Sequence, residues 1–170
     1  MTTPTQTPNM KLTMSQVIIN LFQDTFKQGP FKVYREGDPI IFPASMLPAM
    51  FVSEPITEYT EGPTGFDAIS HQILIQIVFN KKAEFGAPKG VATLDNIIDQ
   101  YVHGRDPSTG DFLSNTIMGT IRRNISFNNM IIGQKVRVEK YTVPRSDELW
   151  TVEAQIRITI DEEQAIADRS

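Results

Sequence analysis

At 170 residues, with 40% hydrophobic and 21% charged positions, the chain has the material for one domain with a real core. A formal charge of -4 and a sequence pI near 5.2 supply no basic footprint for neutralising phosphates, which disfavours broad, sequence-independent nucleic-acid binding. With no cysteine, disulfides, zinc-thiolate sites and thiol nucleophiles are excluded.

Residues 1–11 are rich in Thr and Pro and offer little to bury, so they read as a flexible N-terminal arm, without the basic region and apolar core of a secretory signal. No apolar run reaches the length of a bilayer span, which points to a soluble protein, intracellular or released in an assembled particle. A single domain is expected over 12–161, followed by an acidic tail over 162–170. From Thr13 the period becomes helical: Met14, Val17, Ile18, Leu21, Phe22 and Phe26 recur on one face, Thr13 and Gln16 form a capping box, and Gly29-Pro30 stops the helix. Phe31 to Glu36 and Ile40 to Phe42 read as short extended pieces around Gly37-Asp38.

Leu47 to Val52 then enters a sheet, and a turn at Glu61 to Gly65 makes residues 49–79 one long antiparallel hairpin whose tip, near Ile56 to Ala68, reaches past the body. Pro55 cannot donate to a ladder, so that strand is either an edge or bulged there. The stretch from Ile69 to Asn80 organises the rest. Ile69, His71, Ile73, Ile75, Ile77 and Phe79 share one side of an extended chain, while Ser70, Gln72, Leu74, Gln76, Val78 and Asn80 share the other. This is a central strand with helices on its first face and a second face only partly dry.

Leu94, Ile97, Ile98, Tyr101 and Val102 form the stripe of a second helix, which begins near Ala87-Pro88 and ends at His103-Gly104. Phe112, Leu113, Ile117 and Ile121 suggest a shorter third helix, weakened by Gly119. Ile125 to Phe127, Lys135 to Val143 and Leu149 to Ile160 are extended; the last puts Trp150, Val152, Ala154, Ile156, Ile158 and Ile160 inward and Thr151, Glu153, Gln155, Arg157 and Thr159 outward. The order of elements predicts an α+β fold, an antiparallel sheet with a long hairpin and two to three helices packed on one face.

Chemistry-bearing residues are sparse. His71 and His103 have no sequence neighbours at triad or metal-ligand spacing and read as structural. Asp106 to Asp111 lacks the alternating oxygens and the terminal Glu of a calcium loop, Asp95 and Asp99 read as a solvated helix face, and the ten glycines form no phosphate cradle. No catalytic, cofactor-binding or metal-ligating residue is assigned, and no enzyme activity is expected. Leu74 and Val78, set among glutamines, ask for cover by a neighbouring subunit, and so do Ile56, Tyr59 and Phe66 on the hairpin. The plainer alternative is that the helices or the Phe31 to Phe42 segment cover them within one chain.

A first helix, the strand Leu47-Pro-Ala-Met-Phe-Val52, a hairpin, the strand His71-Gln-Ile-Leu-Ile-Gln-Ile-Val-Phe79, the helix with Leu94-Asp-Asn-Ile-Ile98 and the closing Ile156-Arg-Ile-Thr-Ile160 resemble, over about 13–160, the tail terminator family of long-tailed bacteriophages. The resemblance is one of layout and hydrophobic rhythm. It implies a structural virion protein of the tail and neck region, assembled in the host cytoplasm. A homo-oligomeric ring, hexameric in the family, would cap the tail tube protein, end its elongation and present a surface to the neck or head-completion protein. DNA would pass through the bore without sequence-specific binding, and no membrane or cofactor is involved. Glu54, Tyr59 and Phe66 are the hairpin contacts the resemblance suggests. The Thr/Pro arm and the Phe31 to Phe42 insertion depart from the simplest members, which leaves open a plain or a sheathed tail. The alternatives are a head-completion or neck connector and, from another class, a small-ligand-binding α+β domain.

Overall fold

Thr13 caps the first helix as its spacing predicts: in the computed structural model its hydroxyl accepts from the Gln16 N–H while the Gln16 side chain accepts from the Thr13 N–H. The structure describes residues 12–27, 29–61, 66–81, 98–127, 130–133, 136–146 and 149–165. The predicted N-terminal arm, the hairpin turn, the start of the second helix with Leu94 and Ile97, and the last five residues lie outside the described ones.

Helix α1 spans Met14–Thr25 and buries Ile18, Ile19 and Phe22. Strand β1 (Val33–Glu36) follows, then a 3-10 turn at Ala44–Met46, β2 (Ala49–Glu61) and β3 (Phe66–Asn80). A helical segment at 98–103, α2 (Ile117–Arg123), β4 (Ser126–Phe127), β5 (Met130–Ile132), β6 (Arg137–Pro144) and β7 (Trp150–Ala165) complete the order. The fold is α+β.

The strands form one seven-stranded sheet, β1-β2-β3-β7-β5-β4, with β6 also paired to β7. It is mixed rather than wholly antiparallel: β1 runs parallel to β2, Val33 opposite Ala49 through Glu36 opposite Val52. The chain can do this because residues 37–48 cross back over the sheet instead of turning tightly, as parallel pairing demands. Strand β7 is paired along its whole length, with β3 on one side and with β6 and then β5 on the other. It continues to Ala165, opposite Phe66, so the tail expected from 162 is strand for its first four residues. The long β3 offers that stretch a ladder, and pairing outweighs its acidic composition.

One face carries the main core. Ile18 and Phe22 of α1, Phe26 just past its end, Ile98 and Val102 of the 98–103 segment, and Ile117 and Ile121 of α2 pack on Met50, Val52, Ile73, Ile75, Ile77, Phe79, Val152, Ile156 and Ile160. An aromatic chain threads it: the Tyr101 ring stacks on Phe79 at 5.7 Å between centroids, and Phe31 meets Phe26 edge-on at 5.3 Å. The third helix starts later than Phe112 and Leu113 suggested, because Thr116 caps it by accepting from the Gly119 N–H. Gly119 does not weaken this helix so much as permit it: a Cβ there would stand 1.9 Å from the Leu113 carbonyl oxygen.

Candidate assembly surface

Pro55 sits in a register shift. Ala49 to Ser53 pair with Val78 to Leu74, but Ile56 pairs with Gln72, so β2 carries one extra residue between Ser53 and Ile56. A shift of one residue exchanges the faces of a strand. Before the bulge Met50 and Val52 face the helices; beyond it Thr57 and Tyr59 do, and Ile56, Glu58 and Thr60 face the opposite side. Glu54, at the bulge, turns to His71: its Oε1 lies 2.5 Å from His71 Nδ1 and accepts the Thr57 hydroxyl at 2.5 Å. Glu162 Oε1 stands 3.6 Å from His71 Nε2, so a buried imidazole sits between two carboxylates at the root of the hairpin. Sequence spacing could not show this cluster, since its members lie on three strands.

The second face has three zones. At its dry end, residues 38–47 form a strap, and Leu47, Ala49, Phe51 and Val78 make a small separate core with Phe42 and Leu149 against it. Val78 is 0% exposed. The expectation that it needs a neighbouring subunit is corrected: its own chain covers it, through the segment named as the plainer alternative. Beneath the strap lies a polar network that alternation concealed. Glu153, read as outward, is completely buried; Arg145 donates from Nε and Nη2 to its two oxygens at 2.8 Å each, and Thr151 and Gln76 donate to it at 2.6 and 2.5 Å. Arg145 also donates to the Pro39 carbonyl at 3.2 Å and lies over the Phe42 ring, which ties the strap to the sheet. The Gln76 amide donates to the Tyr141 hydroxyl at 2.9 Å. Trp150, expected inward, is 48% exposed, with Lys81 over its ring.

The middle zone is a groove of about 320 Å³ whose lining includes Pro55, Leu74, Arg137 and Arg157. Leu74 is half-buried there. The far zone is the distal hairpin with the end of β7, where Glu58, Thr60, Asp161 and Glu163 are exposed on this face.

Of the expected contact residues, then, Ile56 and Tyr59 are presented, at 45% and 72% exposure. Leu74 is partly so, Val78 is enclosed, and Glu54 is turned inward to His71. The backbone of Phe66 pairs with Ala165, and its side chain lies outside the described residues. The sheet margins are open as well. Past Val52 the outer edge of β2, and along Arg137–Pro144 the outer edge of β6, have no strand partner among the described residues.

Among the described residues no three His, Cys, Asp or Glu side chains are grouped to hold a metal ion, and no helix is long and apolar enough to cross a membrane. His103 lies 3.8 Å from Asp99, which Lys140 also engages at 2.7 Å. Comparison with known protein families and with characterised proteins finds no match for this chain.

Proposed function

We propose that this protein is a structural subunit that assembles with copies of itself into a ring, as the resemblance to phage tail terminators implies, and that the ring caps a tail tube and receives the head. The observation that carries the reading is the pair of edges, on opposite margins of one sheet, that have no strand partner among the described residues: the distal half of β2 and the outer edge of β6. An exposed edge is a template for another strand, and soluble proteins otherwise blunt it. Two different edges joined head to tail give a heterologous contact, which closes into a ring when the rotation allows it. The exposed Ile56 and Tyr59 lie on the first of these edges.

A neck connector shares this ring habit, so two measurements are needed. Sedimentation equilibrium of the full chain should give a mass near six subunits, or show assembly on addition of isolated tail tubes. Co-sedimentation should then favour tails over heads; binding to heads alone would move the protein to the neck. A monomer under every condition, with a small molecule bound, would replace the structural reading with the ligand-binding one.

A further inference from the structure

Across four strands of the second face runs the row Arg137, Arg157, Leu74, Ser53, each opposite the next. Residues directly opposite on an antiparallel pair point to the same side a few ångströms apart, and like charges in that position repel. Arg157 makes no hydrogen bond or ion pair with any described residue. Arg137 has only Glu139 of its own strand, at 2.6 Å, in a pair whose side chains are 72% and 41% exposed. Such an exposed pair holds little. Two guanidinium forks, one of them unpartnered, thus border a groove whose other walls include Gln72, Thr159 and the apolar Pro55 and Leu74. Paired guanidinium groups suit a carboxylate, which each can hold by two parallel hydrogen bonds.

The chain carries the complementary charge on its own distal hairpin. No Lys or Arg occurs from Glu36 to Asn80, nor between Arg157 and Arg169, so the arm formed by the ends of β2, β3 and β7 holds only acids: Glu58, Glu61, Asp67, Asp161, Glu162 and Glu163. These acids cannot fold back onto their own groove. Arg157 and Asp161 are four residues apart on one strand, about 13 Å at the rise of an extended chain, and β3 pairs with β7 from Phe66 to Asn80 without a register break. A second molecule has no such restriction.

We infer that the Arg137 and Arg157 groove is the receptor for the acidic hairpin arm of a second copy, with Glu58 and Asp161, which share one row and one face of that arm, meeting the guanidinium groups and Ile56 set beside Leu74. The inference rests on the ring reading and names the contact that would close it. Its test is sedimentation velocity of the full chain at low salt, over a range of concentrations, for four proteins: the wild type, R137E/R157E, E58R/D161R, and the combined fourfold variant. The wild type should assemble. Each double variant should associate at least about tenfold more weakly, with thermal unfolding confirming that it is folded, and the fourfold variant should regain assembly because the charges are exchanged. An assembling wild type with an equally assembling R137E/R157E overturns the groove and leaves the ring standing. Loss of assembly without recovery in the fourfold variant also overturns it, since the arginines would then hold something other than this arm. A wild type that stays monomeric at every concentration, with isolated tail tubes as well as without them, overturns both.

Discussion

The Glu153 carboxylate is fully buried and held by a guanidinium that solvent still reaches, so the two partners are not equivalent. Arg145→Met strips the counter-charge from an ion that has no water to turn to, and breaking one side of a buried pair costs about 3–5 kcal/mol. Urea denaturation should show that loss, and the double change Arg145→Met with Glu153→Gln should cost less than the single one. A drop under about 1 kcal/mol for Arg145→Met would contradict the burial argument. Burial foremost, then the nearby Glu153 charge, pushes the Tyr141 phenol above the ordinary tyrosine range, and burial alone pushes Tyr34 the same way. The native state thus prefers the neutral phenol. Its contribution is complete below about pH 10 and is lost as pH climbs through the raised folded value. Denaturant midpoints taken across that alkaline window should fall less steeply for Tyr141→Phe than for the wild type. Gly119→Ala forces a methyl against the Leu113 carbonyl, backbone that cannot swing away, and a cost of about 1–3 kcal/mol or more is expected from thermal unfolding.

Helix α1 is anchored at its start as well as along its face: the Thr13 hydroxyl donates to Glu36 at 2.7 Å and the Gln16 amide to the same carboxylate at 3.2 Å. Thr13→Ala should therefore remove about 1 kcal/mol or somewhat more in urea denaturation, because the hydroxyl that caps the helix is also the one that holds Glu36. Elements built on local rules were legible in the sequence. The capping box, the helical stripe from Met14, the alternation of β3 and β7, and the bulge at Pro55 each follow from a few adjacent residues. What alternation reports is which residues share a side, not which side is dry. Glu153 and Val78 therefore misled: both are dried by a strap whose Pro39 and Phe42 lie over a hundred residues from Arg145, the residue that fastens it. The parallel β1 and the short β5 escaped for a related reason, since three or four residues of strand are defined by the neighbour they find. Of the candidate surface, the exposed Ile56 and Tyr59 could be read from composition, whereas the Arg137 and Arg157 row exists only once β6 and β7 are in register.

At the scale of the whole molecule, the charge is sorted along the sheet rather than spread over it, with arginines at its middle and acids at one end. Contacts between such zones are screened at a Debye length that shrinks from about 10 Å at 0.1 M salt to about 3 Å at 1 M. Self-association should weaken measurably across that range in sedimentation experiments, and association indifferent to salt would point to the apolar edge contacts alone. The same sheet has a mechanical side. With fifteen consecutive residue pairs between β3 and β7 and no bulge among them, the ribbon spans about 50 Å and has no hinge of its own. Its root is clamped where His71 lies between Glu54 and Glu162. Unbroken pairing of this kind stiffens the ribbon, so the hairpin is expected to move together with the sheet it grows from rather than swing about a joint.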